Sequence, residues 1–212
     1  MTLMQELILL GQEIVRRGLV LGSGGNLSFR QGETMYITRS GALLHQLDET
    51  DFLPVPLTKP WLRPDVAPRP STETPMHMAA YHARPQARTI VHCHPVSAIA
   101  WAMQERPLPA TTPDFTLYLG PEVPVVPYFL PGSQALADAV TAALAQSPGV
   151  LMGNHGVLVC ADTVARARLR LFHIDDAANI CLRALAAGQL RPLQTAETAE
   201  IIAVYGSAKK TA

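Results

Sequence analysis

The segment IVHCHP, residues 90–95, puts two histidines one residue apart at the end of an apolar stretch. On a strand, side chains two residues apart leave the same face, so His92 and His94 point one way and Cys93 the other. Two imidazoles at that spacing can chelate one divalent ion, at Zn–N distances of about 2.0–2.1 Å. Taken alone, the pair fits a metal clip and a hydrogen-bonded strand end equally well. His155 tips the balance. It sits in GNHGVLV, a glycine-flanked turn between two apolar stretches, where an imidazole has no packing role to fill and glycine allows close backbone approach. Three histidines on one ion leave a position open for substrate, as in catalytic rather than structural zinc sites. The other four histidines read as structural: His45 in a polar loop, His77 and His82 on the helix after Pro70, and His173 in mid-helix.

Glu73, in RPSTET, falls in the first turn of a helix. Glutamate there suits the helix dipole and needs no further role; beside a metal it is also a general acid/base. Ser71 and Thr72 precede it, offering hydroxyls and N–H groups at a helix start, where anions bind. Two glycine turns can present N–H groups to a phosphate as well: GSGGNLS, with Gly25 and Asn26, and TRSG, with Ser40 and Gly41. GSGGNLS is not a dinucleotide fingerprint, because Leu27 stands where the third glycine is required and a strand follows instead of a helix. With the Ser71–Thr72 helix start, the two turns make a phosphate pocket without a dedicated lysine.

These residues need elements to hold them. Residues 2–18 read as an amphipathic helix: Thr2 and Gln5 form a capping box, Leu3, Leu7, Leu10, Ile14 and Val15 repeat at helical spacing, and Gly18 stops it. GSGGNLSFR enters a strand whose antiparallel partner is TMYITRSG. PLTKPWLRPDVAPRPS, with five prolines, is a loop. The spacing then predicts a helix from Ser71 or Thr72 to just before Pro85, a strand in TIVHCH, a helix in PVSAIAWAMQ, a strand in VPVVPYF and a helix in SQALADAVTAALAQ. Two strands meet at Gly153–Gly156, and helices follow over about 163–187 and 197–205. The expected fold is α/β: one domain over residues 1–212, three-layer α/β/α, with helices covering a central, mainly antiparallel sheet.

Composition sets the class. Of 212 residues, 48% are apolar and only 16% charged, so much of the chain is buried in its own core or between subunits. Seventeen basic residues balance seventeen acidic ones, which gives no basic face for nucleic acid or an anionic membrane. Three cysteines without clip spacing argue against a disulfide framework and for a reducing cytoplasm. The N-terminal segment has its acidic residues early and its arginines late, the wrong polarity for a signal peptide, and no apolar run approaches a membrane span.

The series GGNLS, TRSG, RPSTE, HCHP, VPVVPY and GNHGVLV, in this order and spacing over nearly the whole chain, resembles the class II aldolase/adducin family. The resemblance implies a C4 homotetramer with active sites at subunit interfaces. It also implies one zinc ion (Zn2+) per chain on His92, His94 and His155, with Glu73 as acid/base; three imidazoles accept manganese or cobalt too. Gly25, Asn26, Ser40, Gly41, Ser71 and Thr72 match the positions that bind the phosphate of a small phosphorylated sugar. Glutamate at 73 matches the aldolase branch, whereas epimerases carry aspartate there. Pro113 falls where the aldolases have a tyrosine, with Asp114 beside it and Tyr118 further along, and Tyr205 corresponds to a tail tyrosine that reaches a neighbour's site. Asp114 and Tyr205 are therefore expected in the catalytic set. The resemblance implies a zinc-dependent aldolase that cleaves a ketose 1-phosphate to dihydroxyacetone phosphate and an aldehyde. VPYFLPGSQALADAV and RPLQTAETAEI are also similar to the branch that decarboxylates 3-oxo-tetronate 4-phosphates, the alternative activity. An epimerase, a dehydratase and a non-catalytic adducin-type domain fit less well.

Overall fold

The N-terminal stripe of leucines folds as α1 (Leu3–Arg16) in the computed structural model, which describes residues 1–206. The Thr2 hydroxyl accepts from the Gln5 N–H while the Gln5 side chain accepts from the Thr2 N–H, so two otherwise orphaned donors are satisfied at the helix start. β1 (Asn26–Gln31) and β2 (Thr34–Thr38) form the expected hairpin, and β3 (Phe52–Pro56) adds an edge strand. Then come α2 (Thr74–Ala83), β4 (Thr89–Cys93), α3 (Val96–Ala102), β5 (Leu108–Pro109), α4 (Pro113–Leu119), β6 (Glu122–Val123) and β7 (Val125–Val126). The chain continues through α5 (Gln134–Leu144), β8 (Gly149–Met152), β9 (Gly156–Ala161), α6 (Val164–Ala186) and α7 (Thr195–Tyr205).

Seven strands form one sheet in the order β3-β2-β1-β4-β9-β8-β7, antiparallel except for β7 against β8; β5 and β6 pair separately. Side chains alternate across it. Val91, Cys93, Leu151, Val157 and Val159 pack under α1, α3, α4 and α6, while Ile90, Val150, Met152, Leu158 and Cys160 face α2 and α5. This is the three-layer arrangement that the alternation of strands and helices predicts. No helix among the described residues is long and apolar enough to cross a membrane.

Besides the short β5–β6 pair, which the sequence reading lacks, four elements differ from it, each for a local reason. β3 hides in FLPVP because prolines disguise it; an edge position tolerates their missing N–H groups. α4 forms in TTPDFTLYLG because Thr112 caps it, its hydroxyl accepting from the Phe115 N–H, and Pro113 suits the first turn. The VPVVPYF strand shortens to Val125–Val126, bounded by Pro124 and Pro127. α2 begins at Thr74, later than Ser71 or Thr72, because the Ser71 N–H bonds to the Thr38 carbonyl at the end of β2 and keeps that residue extended.

Candidate metal centre

β4 and β9 lie in the middle of the sheet, and the ends of these strands carry the histidines. His92 stands opposite Leu158 in the β4–β9 pairing. His94 lies just past the end of β4, its N–H held by the Leu19 carbonyl at 3.0 Å. His155 sits in the turn between β8 and β9, which Asn154 enters at φ 54° and the His155 N–H closes on the Met152 carbonyl at 3.1 Å. The next residue must be glycine. A Cβ on Gly156 would lie 2.5 Å from the Cys93 carbonyl oxygen and 2.7 Å from His94 Cδ2.

Glu73 is the residue at which the chain turns into α2, with φ −91° and ψ 14°, which places its side chain beneath the histidines. Its Oε2 is 3.0 Å from His92 Nε2 and its Oε1 is 3.1 Å from His155 Nε2. The Nε2 atoms of His92 and His94 are 2.9 Å apart. One donor atom from each of the four side chains thus falls within 4.8 Å of the others.

The chemistry of this donor set fits a divalent cation. The Val157 carbonyl can only accept, so His92 Nδ1, 2.8 Å away, carries the hydrogen, and the Nε2 of the neutral ring presents its lone pair to the cluster. Lone pairs and a carboxylate that face one another in a buried site need a positive charge among them. Glu73 Oε1 has no hydrogen bond of good geometry, and His155 Nδ1 has none at all. The electrostatics show the same demand for positive charge. Burial, then the charges of His92 and His155, pushes the His94 imidazole down to about 4, leaving it neutral and able to ligate at pH 7. Burial alone would raise the Glu73 carboxyl, but His92 and His155 outweigh it and hold the group below the usual carboxylate range. Burial opposes charge on His92, yet Glu73 and the Val157 carbonyl raise its pKa: with no metal ion counted, a proton on this ring answers the carboxylate's demand for positive charge, the part a bound cation takes.

Around this cluster lie the residues assigned to phosphate. A bridge between Arg39 and Pro70 sets the Ser40–Gly41 turn beside Ser71 and Thr72, and the Ser40 N–H bonds to the Arg69 carbonyl at 2.8 Å. Gly25, at φ 73°, passes so close to β4 that a Cβ would meet the His92 carbonyl oxygen at 2.8 Å. The Ser71 N–H is taken by Thr38 and the Glu73 N–H by Ser71 Oγ, so what these residues still offer an anion is the Ser71 and Thr72 hydroxyls and the Thr72 N–H. Sequence reasoning passed over three cations here. Arg39, Arg63 and Arg69 line a cavity of about 590 Å3 with Ser40. Two of them belong to the proline-rich loop, and their clustering was the available signal.

Two further residues were placed elsewhere by the sequence. Asn26 turns its side chain to Glu73, donating from Nδ2 to Oε2 at 2.8 Å, and His77, read as structural, lies 2.6 Å from Asn26 Oδ1. The helical spacing of Glu73 and His77 carried that signal. Within one chain, the structure does not gather Asp114 or Tyr205 into the cluster. Asp114 is exposed in the first turn of α4, and Tyr205 is 57% exposed at the end of α7. The neighbouring α7 residues Ile202 and Ala203 line a cleft with Pro148, at the end of β8 remote from His155. Tyr118 stacks on His173, with ring centroids 5.3 Å apart.

This site and fold place the chain in a known class. The sequence profile of the Class II Aldolase and Adducin N-terminal domain matches residues 5–182, and the chain belongs to that family. Like the curated aldolases and decarboxylases it matches, it is a metal-dependent lyase. It is 28% identical to an L-fuculose phosphate aldolase of Haemophilus influenzae, over 94% of this chain and 91% of that one. It is 30% identical to a 3-oxo-tetronate 4-phosphate decarboxylase of Cupriavidus necator, over 84% of this chain and 82% of that one. A solved L-fuculose 1-phosphate aldolase superposes with a TM-score of 0.87 at 28% identity, covering 98% of this chain and 96% of that one.

Proposed function

We propose that the chain is a zinc-dependent aldolase that cleaves a ketose 1-phosphate to dihydroxyacetone phosphate and an aldehyde. The observation that carries this reading is the buried Glu73 carboxylate, within 3.1 Å of two of the three imidazoles that converge on it. His92, His94 and His155 hold the ion. When bound, it supplies Lewis-acid polarisation of the ketose carbonyl and stabilises the charge left by carbon–carbon cleavage. Ser40, Gly41, Ser71 and Thr72 anchor the phosphate, with Arg39, Arg63 and Arg69 adding positive charge at its edge. Gly25 and Asn26 contribute through main chain only, because the Asn26 amide is engaged with Glu73 and His77. With the phosphate fixed, Glu73 lies beside the reacting carbons and carries the proton to or from the carbon next to the carbonyl.

The active unit is a homotetramer of C4 symmetry, each chain a single domain, working in the cytoplasm. Exposed Leu21, Val96, Tyr128 and Leu130 support it: they are large apolar side chains left in solvent on segments near the histidines, as a surface that a second copy covers would be. Asp114 and Tyr205 act across that interface, which accounts for their distance from the cluster in one chain.

The arginine cluster favours a second reading. Arg63 and Arg69, beside an Arg39 whose Nε pairs with Asp51, suit a substrate with a carboxylate as well as a phosphate, as in decarboxylation of a 3-oxo-tetronate 4-phosphate. A substrate panel separates the two. Triose phosphate released from ketose 1-phosphates supports the aldolase; CO2 released from oxo-tetronate phosphates replaces it with the decarboxylase. No product from either class overturns both readings.

A further inference from the structure

Behind Glu73 runs a line of buried polar side chains. Asn26 Nδ2 donates to Glu73 Oε2 at 2.8 Å, and Asn26 Oδ1 lies 2.6 Å from His77 Nε2. On the far side of that ring, Ser28 Oγ is 2.7 Å from His77 Nδ1 and 3.0 Å from the Tyr81 hydroxyl. Ser28, His77 and Tyr81 have no exposed surface, and Asn26 is 5% exposed. The line joins two elements in register. Asn26 and Ser28 are two apart on one face of β1, while His77 and Tyr81 follow Glu73 at successive steps of four along α2.

Chemistry fixes every hydrogen in it. An ionised carboxylate only accepts, so Asn26 must turn its nitrogen to Glu73 and its oxygen to His77. That oxygen also only accepts, so His77 Nε2 carries the ring hydrogen. Full burial pushes the His77 imidazole down to about 3, so the ring is neutral and Nδ1 accepts from the Ser28 hydroxyl. Tyr81 then donates to Ser28. Each donor in the line points towards Glu73, and each bond polarises the next.

We propose that His77, held as its Nε2–H tautomer between Asn26 and Ser28, is a positioning residue for proton transfer: it orients the Asn26 amide, and that amide aims the Glu73 carboxylate at the reacting carbon. This rests on the acid/base reading of Glu73. A network that merely satisfied core polar groups would support folding alone, whereas this one ends on the carboxylate that moves the proton.

The test uses the metal-loaded full chain and a substrate that it turns over. His77→Gln and Ser28→Ala each lower kcat roughly 10- to 100-fold, the usual cost of losing an orienting partner. KM and metal content are unchanged, and Ser28→Thr restores most of the rate. Added to Glu73→Gln, neither change lowers the residual rate further, because its effect passes through that carboxylate. Should His77→Gln fail to fold, Ser28→Ala, which removes one oxygen, decides the matter. In 15N-histidine-labelled protein, His77 gives an Nε2–H signature. A ring found as Nδ1–H overturns the proposal without any assay. So does a loss of rate that persists equally in the Glu73→Gln background. An inactive Glu73→Gln beside fully active His77→Gln and Ser28→Ala overturns this proposal alone, while a fully active Glu73→Gln overturns the acid/base reading as well.

Discussion

The two ends of the β4–β9 pair carry polar clusters of opposite kinds. At the end where β4 finishes and β9 begins, three imidazoles and a carboxylate turn lone pairs and negative charge toward one another. At the other end, Arg84, Arg166 and Arg170 line a cavity of about 170 Å3. There the donors are matched to the chain. Arg84 Nε reaches the Leu144 carbonyl at 2.7 Å, Arg170 reaches the Tyr118 and Cys160 carbonyls, and Arg166 pairs with Asp162. Burial, then Arg166, lowers the Arg170 guanidinium to about 10, which leaves it charged at pH 7. Buried charge alone therefore does not mark a site. What distinguishes the ends is whether protein groups answer the charge: carbonyls from α4, α5 and β9 answer the arginines, while the histidine cluster turns lone pairs and a carboxylate inward, a donor set suited to a cation.

Substitutions at the two ends should fail in different ways. The largest effect is expected for His92→Ala, which removes a central ligand. Metal measured after dialysis should fall from one equivalent per chain to near none, beyond the roughly 10–100-fold weakening that follows loss of an outer partner. Retained metal would break the contrast. Glu73→Gln comes next, with kcat reduced about 10²–10⁴-fold and metal content kept. Arg170→Leu should leave metal and kcat alone but cost about 1–3 kcal/mol in urea unfolding, since it strands two carbonyls. A change in metal content there would put the arginine end in communication with the histidine end.

The last contrast, small at any single pH step, is a pH slope. His77 titrates near 6.5 when unfolded but only at about 3 in the fold. Between those values the unfolded chain binds a proton that the native ring refuses, so stability rises with pH, by up to about 1.4 kcal/mol per unit. His77→Gln should flatten that slope in urea titrations from pH 3 to 6.5, while Arg170→Leu leaves it intact.

The layered sheet was legible in the sequence because it depends on periodicity, which neighbouring residues display. The same holds for the part of the site set at short range. His92 and His94 are two apart, and their rings lie 4.7 Å apart. Contacts across the sheet were not legible. The start of α2 depends on Thr38, the side chain of Asn26 is claimed by residues 47 and 51 positions away, and the arginine cluster depends on how a proline-rich loop folds back. Nothing in the local pattern of these segments separates such uses from a helix start, a phosphate turn and a loop.

Gly156 gives the molecule an unusual point of fragility. It contributes no ligand, base or charge, yet one methyl group there would act as a wedge between β4 and β9 and displace the ring of His94. In a library of single substitutions this position should prove as intolerant as the histidines themselves. A search for new specificity then has its freedom in the loops around the cavity, and almost none at the hinge where the two strands touch.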